Sequence, residues 1–133
     1  MIYKIVKGNS FKLHILVRKM DVSKEFQRLV DFDMNLATDI RVELSGFCCD
    51  VISVPVQVAG IQDNVLICDI PSSLDCGNYN VRVSWKYDGS EMVSVERNLL
   101  RIVEHNSMSN VPIGVTEGEH TGLFNLRYYI VTI

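Results

Sequence analysis

Strict alternation of apolar and polar residues in the segment YNVRVSWKY, residues 79–87, constrains the fold more than any other feature. Its apolar positions are Tyr79, Val81, Val83, Trp85 and Tyr87. Because successive side chains of a β-strand point to opposite faces, a period of two predicts a half-buried strand. No segment shows a convincing helical period, so we predict an all-β chain.

Three further segments carry the same alternation. In SFKLHILVRK and DIRVEL the predicted inward residues are Phe11, Leu13, Ile15, Val17, Ile40, Val42 and Leu44. In NVLICDI, Leu66, Cys68 and Ile70 share one face, and Val65 and Ile67 make the other face apolar too. That strand is therefore expected to be covered on both sides.

Asp88-Gly89 follows the segment 79–87 directly. This dipeptide tolerates the positive φ angles of a type I′ turn, so we predict a β-hairpin whose return strand is EMVSVERNLLRIV.

The return strand changes its apolar parity, from Val93 and Val95 to Leu100 and Ile102. A β-bulge near Asn98 that inserts one extra residue would explain the change.

Two segments are less regular. Residues 24–32, KEFQRLVDF, are compatible with a short helical turn or with a loop. The segment GFCCDVISVPVQVAG predicts one or two strands interrupted at Pro55, since proline cannot donate to a central ladder.

The motif Asp75-Cys-Gly77-Asn-Tyr79 precedes the most regular strand. In immunoglobulin-like sandwiches a tyrosine at this place bonds its hydroxyl to backbone a few residues upstream, at the corner between the two sheets. Val81 stands where antibody domains have their second cysteine. We predict an immunoglobulin-like, two-sheet antiparallel β-sandwich of about seven to nine strands, with a jelly roll or another Greek-key sandwich as the alternative.

The chain divides into a sandwich at 1–104 and a segment at 105–133 that is turn-rich up to residue 122 and then runs apolar as LFNLRYYIVTI. A terminal strand is predicted there, packed on the same domain or on a partner chain. Because both faces of the strand are apolar, it is a possible interface. The residues in question are Leu123, Phe124, Leu126, Tyr128, Tyr129, Ile130 and Val131.

Composition excludes several partners. Among 133 residues, 47% are hydrophobic, 22% are charged and the net charge is −3, so there is no basic field for nucleic acid. No run approaches the roughly 20 apolar residues of a membrane span, and the first residues do not resemble a signal peptide. A cytoplasmic location before assembly, or a virion, is expected; a secreted mature form stays open.

Chemistry-bearing motifs are scarce, and we predict no enzyme, cofactor or metal site. The cysteines, at 48, 49, 68 and 76, form no Cys-x2-Cys pair, and His14, His105 and His120 are scattered. We expect buried free thiols. A bridge between Cys68 and Cys76, or one from Cys48 or Cys49, stays open for an oxidising compartment.

Two weaker patterns favour ordinary structure. Asp31, Asp33 and Asp39 lack the close spacing of a calcium loop, so a solvated loop is the better interpretation. Trp85 and the Arg127-Tyr128-Tyr129 run could form a sugar-stacking platform, but core aromatics explain both.

Three segments together resemble the immunoglobulin-like modules at the N-termini of tailed-phage baseplate and tail-fibre proteins: IVKGNSFKLHILV, DFDMNLATDIRVEL and DIPSSLDCGNYNVRVSWKYDGSEMVSVERNLLRIV. The matching positions are Gly8, Asn9, Phe11, Leu36, Ile40, Gly77, Tyr79, Ile102 and Val103. The resemblance covers residues 3–104 and brings no catalytic residues with it. It implies a non-catalytic structural or attachment module with protein partners, a homo-oligomer among them. The alternative is a carbohydrate- or protein-binding domain of a bacterial cell-surface system.

Overall fold

Eleven β-strands and one short 3-10 helix make up most of the described chain. The computed structural model describes residues 2–21, 28–46, 51–104, 115–118 and 123–132. The strands are β1 (Tyr3–Val6), β2 (Phe11–Asp21), β3 (Arg28–Asp31), β4 (Thr38–Gly46), β5 (Ile52–Val54), β6 (Val56–Val58), β7 (Val65–Ile70), β8 (Gly77–Tyr87), β9 (Ser90–Val103), β10 (Thr116–Glu117) and β11 (Phe124–Thr132), and the helix is Met34–Leu36.

The strands form two sheets, which confirms the predicted all-β two-sheet sandwich. The first sheet has the order β1-β9-β8-β4-β5, and the second has the order β10-β11-β2-β7-β6 with β3 paired to β2. Only the β1–β9 pair is parallel among the described strands. Several strands of two to four residues, too short to show a period, raise the strand count above the predicted range.

The faces predicted from alternation are those that meet between the sheets. Each predicted inward residue of β2, β7 and β8 is buried, apart from Tyr87, which is half-buried at the end of its strand. In β4, Val42 and Leu44 are buried, whereas Ile40 is half-buried. Ile40 lies beside a register shift between Thr38 and Arg41, where Asp39 has a φ of 53°.

The bulge in β9 lies at Asn98, as predicted, but it holds two extra residues, not one. Asn80 of β8 stands opposite residues 97–99, since the flanking pairs are Tyr79 with Leu100 and Val81 with Glu96. Asn98 has a φ of 53°, and its N–H donates to the Asn80 side-chain oxygen at 2.9 Å.

The predicted inward face of β9 before the bulge is wrong, because the bulge inserts two residues. An even insertion leaves the side-chain parity unchanged, because strand residues alternate with a period of two. Met92 and Ser94 are therefore the buried residues, whereas Val93 is half-buried and Val95 is exposed.

The segment 24–32 contains a strand where a helical turn or loop was predicted. β2 continues past the end of β7, which leaves the edge of residues 18–21 open, and β3 pairs with that edge from Arg28 to Asp31. Residues 24–27 lie outside the described part of the chain.

Pro55 marks the point where the chain crosses between the sheets. β5 ends at Val54 as an edge strand of the first sheet, and β6 begins at Val56 as an edge strand of the second. Proline has no N–H to lose at such a crossing, while its carbonyl still accepts the Asp69 N–H at 3.0 Å.

The tyrosine corner connects the end of the second sheet to β8. Tyr79 is buried, and its hydroxyl donates to the Asp75 carbonyl at 2.7 Å. Gly77 has a φ of 144°, in a region that side chains disfavour. At the other end of β8, Asp88 and Gly89 have φ angles of 51° and 75°, as a type I′ turn requires.

Strand β11 lies within the chain's own second sheet, between β10 and β2. Nine residue pairs join it to β2, from Phe124 with Lys19 to Thr132 with Phe11. In an immunoglobulin sandwich the first strand occupies this place beside the second strand. Here β1 pairs with β9 instead, so β11 fills the position.

Replacement of Tyr79 by Phe should lower the free energy of unfolding by about 1–3 kcal/mol, because the Asp75 carbonyl loses its hydroxyl donor. Urea unfolding measures the change. Tyr87→Phe is the matched control and should change stability by less than about 0.5 kcal/mol, since that tyrosine is half-buried at the strand end. Equal midpoints for the two variants would contradict the corner's contribution.

Leu126→Ala should destabilise the protein by about 2–5 kcal/mol, because that side chain is fully buried between the sheets. Val131→Ala, at an exposed position of the same strand, should cost less than about 1 kcal/mol. Thermal unfolding compares the two.

Truncation after Gly122 should abolish the cooperative unfolding transition. A truncated monomer that melts like the full chain would show that β11 does not close the core.

Candidate binding surface

The predicted interface residues of β11 divide between the interior and the surface. Leu126 and Tyr128 are fully buried, and Phe124 and Ile130 pack against the same core. These four side chains stabilise the chain's own sandwich, and of the four Phe124 and Ile130 are half-buried, not fully enclosed. The rest, Leu123, Tyr129 and Val131, reach the surface wholly or in part.

A groove of about 270 Å³ lies on the outer face of the second sheet, and we call it the sheet-face groove. His14 of β2 is paired with Ile67 of β7 on one side and with Tyr129 of β11 on the other, so the three side chains stand in a row across the sheet. The complete lining is His14, Ala59, Gly60, Ile61, Gln62, Val65, Ile67 and Tyr129.

Polar contacts hold the floor of this groove in place. A hydrogen bond of 3.0 Å links Nδ1 of His14 with the Tyr129 hydroxyl, and the two rings lie 5.0 Å apart. Partial burial and the nearby Lys12 lower the pKa of His14, so its neutral form predominates at pH 7. Burial also raises the pKa of Tyr129.

Ile61 stands at the rim of the groove with 99% of its surface exposed. It belongs to the tight connection between β6 and β7, which is closed by the Ala59 N–H to the Val65 carbonyl at 2.8 Å and by the Val65 N–H to the Gln62 carbonyl at 3.2 Å. A side chain exposed in this way does not gain the free energy that burial of its apolar surface would provide.

The sequence interpretation missed this groove. Its one local signal is an isoleucine inside the polar turn Gly60-Ile61-Gln62-Asp63-Asn64, where an apolar residue has no obvious structural role. The rest of the floor comes from outward positions of three strands, and their adjacency depends on strand order.

A second groove, of about 320 Å³, lies at the end of the sandwich beside the β8–β9 hairpin, and we call it the end groove. Its lining is Lys19, Tyr87, Asp88, Ser90, Glu91, Met92, Leu123 and Phe124. The Lys19 ammonium lies 5.1 Å from the centre of the Tyr87 ring, and Phe124 meets Trp85 and Tyr87 edge to face. Half-buried aromatic rings thus form its floor.

A polar cluster lies inside the sandwich, where β9 faces β10 and β11. Ser94, Thr116 and Tyr128 are buried, and the Thr116 hydroxyl oxygen has no hydrogen-bond partner among the described residues. Burial raises the pKa of Tyr128, an effect that the nearby Ser94 hydroxyl partly offsets. A ligand outside the protein cannot reach these oxygens without opening the sheet.

The acidic residues considered as calcium ligands are engaged separately. Asp33 accepts the Asn35 N–H at the start of the 3-10 helix, and Asp39 pairs with Arg41 and Lys86. Asp31 is exposed on β3. The described residues contain no group of histidine, cysteine and acidic side chains that could hold a metal ion.

Two of the four cysteines lie in the described part of the chain, and both are free. Cys68 is buried in β7, as expected, and burial raises the pKa of its thiol to about 12. Cys76 is exposed, so the expectation of a buried thiol is wrong there. The open alternative of a Cys68–Cys76 bridge is therefore not present. Cys48, Cys49, His105 and His120 lie outside the described residues.

Comparison with known proteins returned no match to a family model, to a curated protein or to a solved structure. Within the described residues, no helix has the length and apolar character needed to cross a membrane.

In a Cys48→Ser/Cys49→Ser background, a thiol reagent should label one cysteine of the native protein and two after denaturation. Cys76 is accessible, while Cys68 is buried and stays protonated below about pH 9. Ionisation of the unfolded thiol should then lower stability between its ordinary pKa of 9.0 and the folded value of about 12. Rapid native labelling of both thiols would contradict the buried position.

Proposed function

We propose that this protein is a non-catalytic structural or attachment module that binds other proteins in the tail of a phage or prophage, at the baseplate or in a fibre. The sandwich supplies a rigid body, and its exposed aliphatic positions supply contact surface. The phage context comes from the sequence resemblance over residues 3–104, whose positions are structural and carry no ligand chemistry.

The types of apolar side chain that are exposed favour a protein partner over a carbohydrate. Every Phe, Tyr and Trp side chain among the described residues is buried or half-buried. A sugar-binding surface is expected to present exposed aromatic rings, whereas exposed apolar surface of any kind is compatible with protein contacts. The exposed large apolar residues are all aliphatic: Ile2, Leu36, Val51, Ile61, Val95, Val115, Leu123 and Val131.

The resemblance agrees with this proposal at the level of structure. Gly8 has a φ of 94° in the turn before β2, and Phe11 and Ile102 are buried core residues. These positions support a sandwich of this type, while Ile40 and Val103 are half-buried around it.

The end groove favours the alternative, a carbohydrate- or protein-binding domain of a cell-surface system. Tyr87 and Phe124 offer partial ring faces there, with Lys19, Asp88 and Glu91 as polar neighbours. A saccharide ring could stack on Tyr87 while its hydroxyl groups bond to those side chains.

Co-expression with the products of adjacent genes should yield a stable complex with a tail or baseplate protein, detected by size-exclusion chromatography and cross-linking mass spectrometry. Calorimetric titration with bacterial surface polysaccharides should show no binding. Tyr87→Ala is the matched control and should leave the complex intact, because the proposed contacts are aliphatic. Polysaccharide binding that Tyr87→Ala abolishes, with no complex formed, would overturn the proposal in favour of the alternative.

A further inference from the structure

We infer that the sheet-face groove is a self-association site, in which Ile61 of one copy seats in the groove of a second copy and receives the second Ile61 in return. This inference rests on the proposed function, because it names a second copy of the chain as one partner of the protein-binding surface. It assigns a use to the most exposed apolar side chain in the described part of the protein.

The projecting side chain, Ile61, and the sheet-face groove that would receive it are adjacent on the same chain. Ile61 projects at the rim, and the apolar floor beside it is formed by Val65, Ile67 and the Tyr129 ring. In a two-fold dimer the same patch meets itself, so each copy both inserts and receives. A patch that carries its own complement fits this symmetry, whereas an unrelated partner would have to supply both parts.

The size and chemistry of the groove favour an aliphatic side chain over a small molecule. Its volume of about 270 Å³ is below the range of roughly 300–1,000 Å³ typical of ligand pockets. The lining contributes three side chains with polar groups, His14, Gln62 and Tyr129, and His14 and Tyr129 are already bonded to each other.

The charges beside the groove are balanced. The Lys12 ammonium lies 3.4 Å from the Asp69 carboxylate, and this is the next pair on the same outer face after the row of His14, Ile67 and Tyr129. A cation and an anion therefore accompany each patch. Two copies can meet face to face without an excess of like charge, which would otherwise oppose association.

His14 makes the association sensitive to acid. The charged or ionisable groups around it are Tyr129 and Arg127 from β11, Lys12 from its own strand and Asp69 from β7; Arg127 is paired with Glu117, and Ile67 and Gln62 bring no charge. A docked Ile61 removes water from the imidazole and further disfavours its protonated form. Proton binding thus favours the separate copies, and affinity should fall as the pH drops through the pKa of His14 in the free chain, which lies below the ordinary 6.5 of histidine.

Sedimentation equilibrium of the full chain should show a dimer that dissociates on dilution. Ile61→Asp should weaken association by about tenfold or more, because it places a charge in an apolar groove. Val95→Asp is the matched control, since Val95 is also exposed, at 38%, but lies in β9 of the first sheet, whereas the groove is on the second. It should dimerise as the unchanged protein does.

Repeating the measurement at pH 7.5 and 5.5 should show weaker association at the lower pH, and His14→Gln should flatten that difference. Far-UV circular dichroism checks each variant; if Ile61→Asp fails to fold, Ile61→Ser replaces it. A dimer unaffected by either Ile61 variant, including one formed by exchange of β11, overturns the inference. A chain that stays monomeric up to about 1 mM overturns it too, while leaving the proposed complex with other tail proteins to stand.

Discussion

Strand β2 is paired on both sides, with β11 along one edge and with β7 and then β3 along the other. Its two faces therefore contribute to different parts of the structure, one to the core and the other to the surface. The inward residues, from Phe11 to Val17, meet the first sheet and form the centre of the core. The outward residues include His14, around which the sheet-face groove is built. The core and the groove therefore both depend on the pairing of one strand with its neighbours.

The pairing of these strands also holds the groove's side chains in fixed positions relative to one another. His14, Ile67 and Tyr129 come from three strands that are distant in the sequence, and backbone hydrogen bonds hold them in register. The Ile61 turn is closed by its own backbone bonds. A surface held in this way needs little ordering when a partner arrives, and less of the interaction energy is lost to conformational entropy.

Alternation of apolar and polar residues predicted the inward faces of β2, β4, β7 and β8, because in a half-buried strand the buried positions recur at every second residue. The same reasoning failed for β9, where the two-residue bulge at Asn98 leaves parity unchanged and Met92 and Ser94 face inward. It also missed β3 and the groove, since both depend on which strands become neighbours. Strand order is fixed by contacts between residues far apart in the sequence, and the local alternation of residues carries no information about them.

The position of β11 affects how the protein can be made. It is the last of the described strands in chain order, yet it lies beside β2, one of the first. During synthesis on the ribosome, β2 can pair with β7 long before β11 emerges, so one of its edges stays open. An open, largely apolar edge is attractive to other nascent chains and to chaperones. When the β10–β11 hairpin arrives, it brings Tyr128 against Ser94 of β9, a polar contact inside the sandwich. The hairpin is therefore expected to close the sandwich late and to be the first part to open.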